Sequence, residues 1–256
     1  MNNMAKKDTA VATTAGFDVS TLSAGVVPDF LKDKMGEGRG NEGVSSDDMT
    51  VPRLELVQSL SEVRKKASPN YIEGIQEGDL YNNVTREVYG ESVLFVPVTF
   101  VKEYLLWRDQ KQGGGFGGSF ATAEEAEGVR STMEKPEEWE VVDTPQHFGL
   151  IISESTGQIT EAVVSMAKSK ARVSRKFNSL VRLNGGDRFS RIYRIRGVSD
   201  QNKAGQDFFN LAIDPVAFVN EALYRRAEKF YDLLMSGKVV ADRTFDGETV
   251  EDSEDM

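Results

Sequence analysis

Cysteine is absent from the 256-residue chain, and histidine occurs once, as His147 in the stretch TPQHFGL. The first absence excludes disulfide frameworks, cysteine nucleophiles, iron–sulfur clusters and cysteine-ligated zinc. The second leaves no multi-histidine metal site, and a Ser-His-Asp triad has only that one residue to be built around. Long apolar runs are missing too. Nothing approaches the roughly 18 to 20 residues that a membrane span requires, and the N-terminal MNNMAKKDTAVATTAG carries no signal-peptide apolar block. No G-x-x-x-x-G-K-[ST] pattern occurs. These gaps predict a soluble intracellular protein that works without cofactor, metal or covalent catalysis and is not an enzyme.

The net charge is −10, but it is unevenly spread. Residues 168–196 hold ten basic side chains and one acidic one, while residues 242–256 hold seven acidic and one basic. Phosphate binding depends on local potential within a Debye length of roughly 8 to 10 Å, so this concentration matters more than the sum. Ten cations beside a single anion have few local salt-bridge partners, which points to an anion-binding surface rather than a solvated face.

Residues 1–49 are poor in apolar side chains and predict a disordered arm, with a short helical turn within VVPDFLKDKM at 26–35. Residues 50–240 read as one domain. VPRLELVQSLSEVRKK fits a strand or a short helix. SVLFVPVTFVKEYLLWRD is a strand whose Pro97 favours an edge or a bulge, and QHFGLIIS and EAVVSMA are two more strands. Between Lys168 and Leu183 the residues Val173, Phe177, Leu180 and Val181 recur at helical spacing, with Arg172, Arg175, Lys176 and Ser179 elsewhere: a basic amphipathic helix. RFSRIYRIRGVS and DFFNLAI form a strand pair. Asp214 then caps a helix with Pro215 at its first position and Gly237 as its stop. Residues 241–256 are an acidic tail. The fold class is α+β, mainly antiparallel, as an OB-like barrel or a curled sheet with two flanking helices.

Gly113, Gly114, Gly115, Gly117 and Gly118 formally contain GxGxxG, but no convincing second strand follows, so a dinucleotide site is not expected. The context suits single-stranded nucleic acid better, with Lys102, Arg108 and Lys111 interleaved with Tyr104, Trp107, Phe116 and Phe120: cations track phosphates while aromatics stack on bases. An ordinary hairpin connection is the competing reading. In an extended chain Phe100, Lys102, Tyr104 and Arg108 share one face, and Val101, Leu105 and Trp107 the other, which makes Trp107 a core residue. The basic segment adds Lys168, Lys170, Arg172, Arg175, Lys176, Arg188, Arg191 and Arg194. Tyr193 beside Arg191 is either a stacking pair or an arginine snorkelling over a core tyrosine. The acidic run EEAEGVRSTMEKPEEWE has the side chains a magnesium-dependent nuclease needs but reads as solvated surface.

The blocks VPRLELVQSLSEV, EGDLYNN with REVYG, VPVTFVKEYLLWRDQKQGGGFGG and SMAKSKARVSRKFNSLV resemble bacteriophage single-stranded DNA-binding proteins of phage replication modules, over roughly residues 50–240. The resemblance implies an OB-like core, coating of single-stranded DNA in replication and recombination in the host cytoplasm, and an acidic tail that engages replication or recombination proteins. Here the tail ends SEDM, unlike the proline-aromatic ending of bacterial single-strand binders, but it can still compete for the protein's own cationic groove. The expected function is sequence-tolerant single-stranded DNA binding, with self-association left open. The alternatives are an interaction or virion protein whose basic segment meets an acidic partner, and a metal-dependent nuclease.

Overall fold

The structure, a computed structural model, describes residues 29–32, 40, 50–202, 204–236 and 240–241. It divides into two units, residues 1–44 and 45–256. In the first, Asp29–Lys32 forms the helical turn α1 inside the segment expected to be helical. The rest of the expected disordered arm and residues 242–256 lie outside the described residues, save Gly40.

The second unit runs β1 (Thr50–Val51), β2 (Leu54–Leu56), β3 (Leu80–Asn82), β4 (Val88–Gly90), β5 (Ser92–Arg108), β6 (Phe116–Phe120), α2 (Ala123–Ser131), β7 (Trp139–Ile152), β8 (Ile159–Ser165), α3 (Ala171–Asn184), β9 (Arg191–Gln201), β10 (Asp207–Phe218), α4 (Glu221–Met235) and β11 (Val240–Ala241). The segment after Val51 is thus strand β2, followed by a 3-10 turn at Glu62–Arg64.

An antiparallel sheet of order β10-β9-β5-β7-β8 forms the centre, with β6 also paired to β5. On one edge β5 follows β7 from Leu94 opposite Ile152 to Arg108 opposite Trp139, broken by a bulge between Pro97 and Thr99. The other edge is divided: residues 92–95 pair with β9 and residues 104–107 with β6. The bulge sits at Pro97, whose missing N–H cannot serve a ladder.

The class is α+β and mostly antiparallel, as the sequence implied, but the expected OB-like barrel is not formed. The sheet stays open, with β8 and β10 as unpaired ends of the strand order. Each end is occupied differently. At β8, Val163 N donates to Pro52 O and Arg53 bridges Val163. At β10, the Gln58 amide donates to Phe209 O and accepts from Phe209 N, and Asn210 Oδ1 takes Leu211 N. Alternation puts Pro215, which has no N–H to offer, on the same outer edge. These side chains fill the hydrogen-bonding positions that a closing strand would need.

Two cores hold the layers. On one sheet face Val93, Phe95, Tyr193, Ile195, Leu211 and Ile213 pack beneath Phe177 of α3 and the small sheet β2-β3-β4. On the other Val96, Val98, Phe148 and Leu150 pack beneath Leu223, Ala227 and Phe230 of α4. Phe177 and Phe230 are fully buried, each stabilising the fold by about 1.5 to 3 kcal/mol. At Gly149 a β-carbon would lie 2.3 Å from the Val96 carbonyl oxygen and 2.4 Å from the Phe95 ring. Only glycine lets β7 pass there.

Two helix boundaries differ from the sequence reading. Asp214 and Pro215 remain in β10, and α4 starts at Glu221 with Asn220 as its cap, the side chain accepting from Leu223 N. Proline is tolerated on an edge strand, so it did not mark a helix start. Gly237, the expected stop, lies outside the described residues. The acidic run also begins with the helix α2, capped by Thr122.

Candidate nucleic-acid interface

Helix α3 follows a 3-10 turn at Lys168–Lys170 and ends at Gly185, whose φ of +66° favours glycine. Val173, Phe177, Leu180 and Val181 pack into the core, as their spacing predicts. Arg172, Arg175, Lys176 and Arg182 are exposed, and none forms an ion pair with a described residue. At 100° per residue Arg182 lies on the flank shared with Ser174 and Asn178, Arg175 on the outer ridge opposite the core residues, and Arg172 and Lys176 on the other flank. There Asp200, held below the usual carboxylate range chiefly by the Asn210 amide and the Gln201 N–H, also feels the charge of Arg172.

On the Ser174 flank lies Arg188, whose Nη2 donates to His147 Nδ1 at 2.9 Å and Asn178 Oδ1 at 2.8 Å. His147 Nε2 meets Ser174 Oγ at 2.8 Å. Because Nδ1 accepts from a guanidinium, the imidazole is neutral with its proton on Nε2. Burial, and then the Arg188 charge, push His147 down to about 3. Burial also lowers Arg188 to about 10, so it stays cationic at neutral pH. Its guanidinium carbon stands 5.7 Å from the centroids of both Phe100 and Phe177, and no carboxylate pairs with it among the described residues. Cation–π contact offsets part of its desolvation. Sequence reasoning missed the part played by His147, since its partners are 27 and 41 residues away.

Phe100 begins an aromatic strip on the same sheet face. The Lys102 ammonium lies 5.2 Å from the Tyr104 ring centroid, and Phe120 of β6 is opposite Tyr104. Lys102 also pairs with Asp143 at 2.8 Å, and Asp143 and Tyr104 hold its pKa above the ordinary lysine value. The expected sharing of a face by Phe100, Lys102 and Tyr104 therefore holds.

The glycine cluster joins β5 to β6 as a hairpin, not a strand-to-helix turn. Near it Arg108 is bound to Glu138, Lys111 is exposed, and Phe116 packs on half-buried Trp107 at 4.9 Å. At about 3.3 Å per residue, Arg108 lies some 26 Å along β5 from Phe100, so the hairpin end is remote from the cations of α3. Half-buried Trp139, which a β-carbon at Gly117 would strike at 2.7 Å, is an aromatic of this arm that the sequence reading passed over.

Other expected contacts are redirected. Tyr193 is 1% exposed, its ring edge-on to Phe177 and its hydroxyl accepting from Asn184; it is a core residue, not a base-stacker. Strand alternation turns Arg194 and Arg196 to the sheet face opposite Tyr193, where Glu154 and Asp214 hold them at 3.0 and 3.1 Å. Lys168 pairs with Glu140, and Lys170 is half-buried in the turn before α3. Arg191 stays on the α3 face, donating to Asn184 Oδ1 at 2.8 Å. Arg188, Arg191, Lys102, Tyr104 and Phe120 thus share the sheet face that α3 covers, with Arg182 on the α3 flank toward Arg188 and Arg175 on the outer ridge of that helix. Arg172 and Lys176 stand on the far flank of α3, and Arg194, Lys111 and Phe116 lie apart.

Among the described residues no group of three or more His, Asp or Glu side chains is placed to hold a metal, and no helix is long and apolar enough to cross a membrane. Within the acidic run Glu127 is bound to Arg130, and Glu138 to Arg108 and Lys135. Residues 20–240 match the model of a protein family described as Pam3 phage gp34-like protein. No curated protein and no solved structure matches the chain.

Proposed function

Given that the chain belongs to the Pam3 phage gp34-like family, we propose that it is a non-enzymatic, sequence-tolerant single-stranded DNA-binding protein acting in phage replication and recombination. The observation that carries this reading is the exposed side of α3. Four of its cations, Arg172, Arg175, Lys176 and Arg182, have no anionic partner among the described residues, and the flank that carries Arg182 is turned toward Arg188 and the aromatic strip of the sheet. Unpaired cations can exchange counterions for phosphates, and Tyr104 and Phe120 supply faces that tolerate any base. Cations already bound to Glu140, Glu154 and Asp214 contribute less, because an existing partner must first be given up.

The test is a fluorescence anisotropy titration of labelled oligonucleotides, single- and double-stranded and of several sequences, at a series of salt concentrations. Single strands of every sequence should bind, and the log-log salt plot should fall by about 0.7 per neutralised phosphate. A flat salt response would overturn the reading. Strand cleavage on adding magnesium would favour a nuclease instead.

The seven carboxylates of residues 242–256 compete with DNA for the same cations and, once displaced, are offered to replication or recombination proteins. Deleting those residues is expected to tighten DNA binding several-fold at low salt, with the gain vanishing as salt rises. Unchanged or weaker binding on deletion would remove self-competition.

A further inference from the structure

The bulge in β10 re-aims one aromatic side chain. Leu211 and Ile213 point into the core beneath α3, and unbroken alternation would send Phe218 to the opposite face of the sheet. The register instead shifts between Pro215 and Ala217, which brings Phe218 directly opposite Arg191. A bulge that reverses the facing of a strand end is a common device for presenting a side chain.

The result is a ring that is 69% exposed, at the end of its strand, on the same side of the sheet as α3. The Arg191 guanidinium lies 5.0 Å from its centroid. Asn184 anchors that guanidinium at 2.8 Å, and no carboxylate neutralises it among the described residues. Leu183, next to Asn184, is 84% exposed.

From this geometry we infer that Phe218 and Arg191 form a base-stacking platform for single-stranded nucleic acid, at the opposite end of the cationic face from Tyr104 and Phe120. The inference rests on the single-strand binding reading and adds a second stacking site to it. The β5–β9 pairing ends with Phe95 opposite Tyr193, and continuing it by two residues puts Arg191 near the level of residue 97, about 23 Å along β5 from Tyr104. Arg188, Phe100 and Lys102 lie between the two ends. An exposed phenyl ring offers a π-face to any base, and the guanidinium beside it takes the neighbouring phosphate. A neutral or acidic surround would have suited an apolar protein partner; the cations favour a polyanion.

The experiment compares the full chain with Phe218→Ala and Phe218→Trp, using an oligothymidylate and the same salt series. Phe218→Ala should weaken binding about tenfold and leave the salt slope unchanged, since no charge is removed. Phe218→Trp should retain affinity and show indole quenching on titration beyond that of wild type, which contains Trp107 and Trp139. Leu60→Ala, which removes a side chain 70% exposed in a turn, serves as the control and should leave affinity unchanged. If wild type binds with a steep salt slope and Phe218→Ala binds equally well, the platform is overturned while the binding reading stands. If wild type does not bind single strands, both fall.

Discussion

Replacing Arg172, Arg175, Lys176 and Arg182 together by glutamine is expected to weaken single-stranded DNA binding by several hundred-fold at about 0.1 M salt. Each neutralised phosphate of a single strand contributes about 0.7 to the log-log salt slope, hence about 0.7 log units between 1 M and 0.1 M, and four contacts give nearly 3. The salt slope itself should fall by almost 3 units, which distinguishes lost phosphate contacts from a distorted site. Glutamine sustains a helix about as well as arginine or lysine, and the apolar face of α3 is untouched, so thermal unfolding should change little. Replacing Arg194 and Arg196 instead should cost less than threefold, because Glu154 and Asp214 already neutralise them on the opposite sheet face. A quadruple variant that keeps the wild-type slope would mean that α3 is not where phosphates bind.

The contrast between those two sets of cations shows how far the sequence could be read. Helix α3 was legible because its apolar period and its cations are local properties, recorded within one stretch of chain. Whether a given arginine is free is not local. The carboxylates that hold Arg194, Arg196 and Lys168 lie 40, 18 and 28 residues away, and no run of neighbours announces them. The sequence leaves Tyr193 open between a stacking candidate and a core residue for the same reason. Alternation identifies its companions on the strand, but only the packing of Phe177 against it decides which face is inside. Other misses had a visible signal. Thr122 followed by Glu125 is the S/T-x-x-E pattern of a helix start, and it marks α2 at the head of the run that reads as solvated surface. Asp214-Pro215 carried a false one, since proline suits both the first turn of a helix and the outer edge of a sheet. The open sheet in place of a barrel was beyond local reading altogether, because Gln58 reaches a strand 151 residues on.

Stability is expected to fall as pH is lowered from 7 to 5, by about 2 kcal/mol, through the single histidine. In the folded protein His147 is pushed down to about 3, whereas in the unfolded chain it titrates near 6.5. Below 6.5 the unfolded state takes up a proton that the native state refuses, so unfolding becomes easier. The slope approaches about 1.4 kcal/mol per pH unit and ends only when the native imidazole itself protonates. Above 6.5 both states are neutral and the contribution is constant. His147 is the sole histidine; burial raises the Glu161 carboxyl, whose protonation favours the native state and so opposes the histidine effect, and comparison with a variant lacking the imidazole separates the two. Urea unfolding at pH 7, 6 and 5 gives the measurement. In His147→Gln the amide can still accept from Arg188 and donate to Ser174, and that variant should lose the histidine's share of the pH dependence while Arg188 keeps its place. A wild-type stability that varies with pH no differently from that variant's would show that the imidazole is open to solvent. The guanidinium of Arg188 would then lack the neutral acceptor that fixes it between Phe100 and Phe177, and the centre of the cationic face would be unanchored.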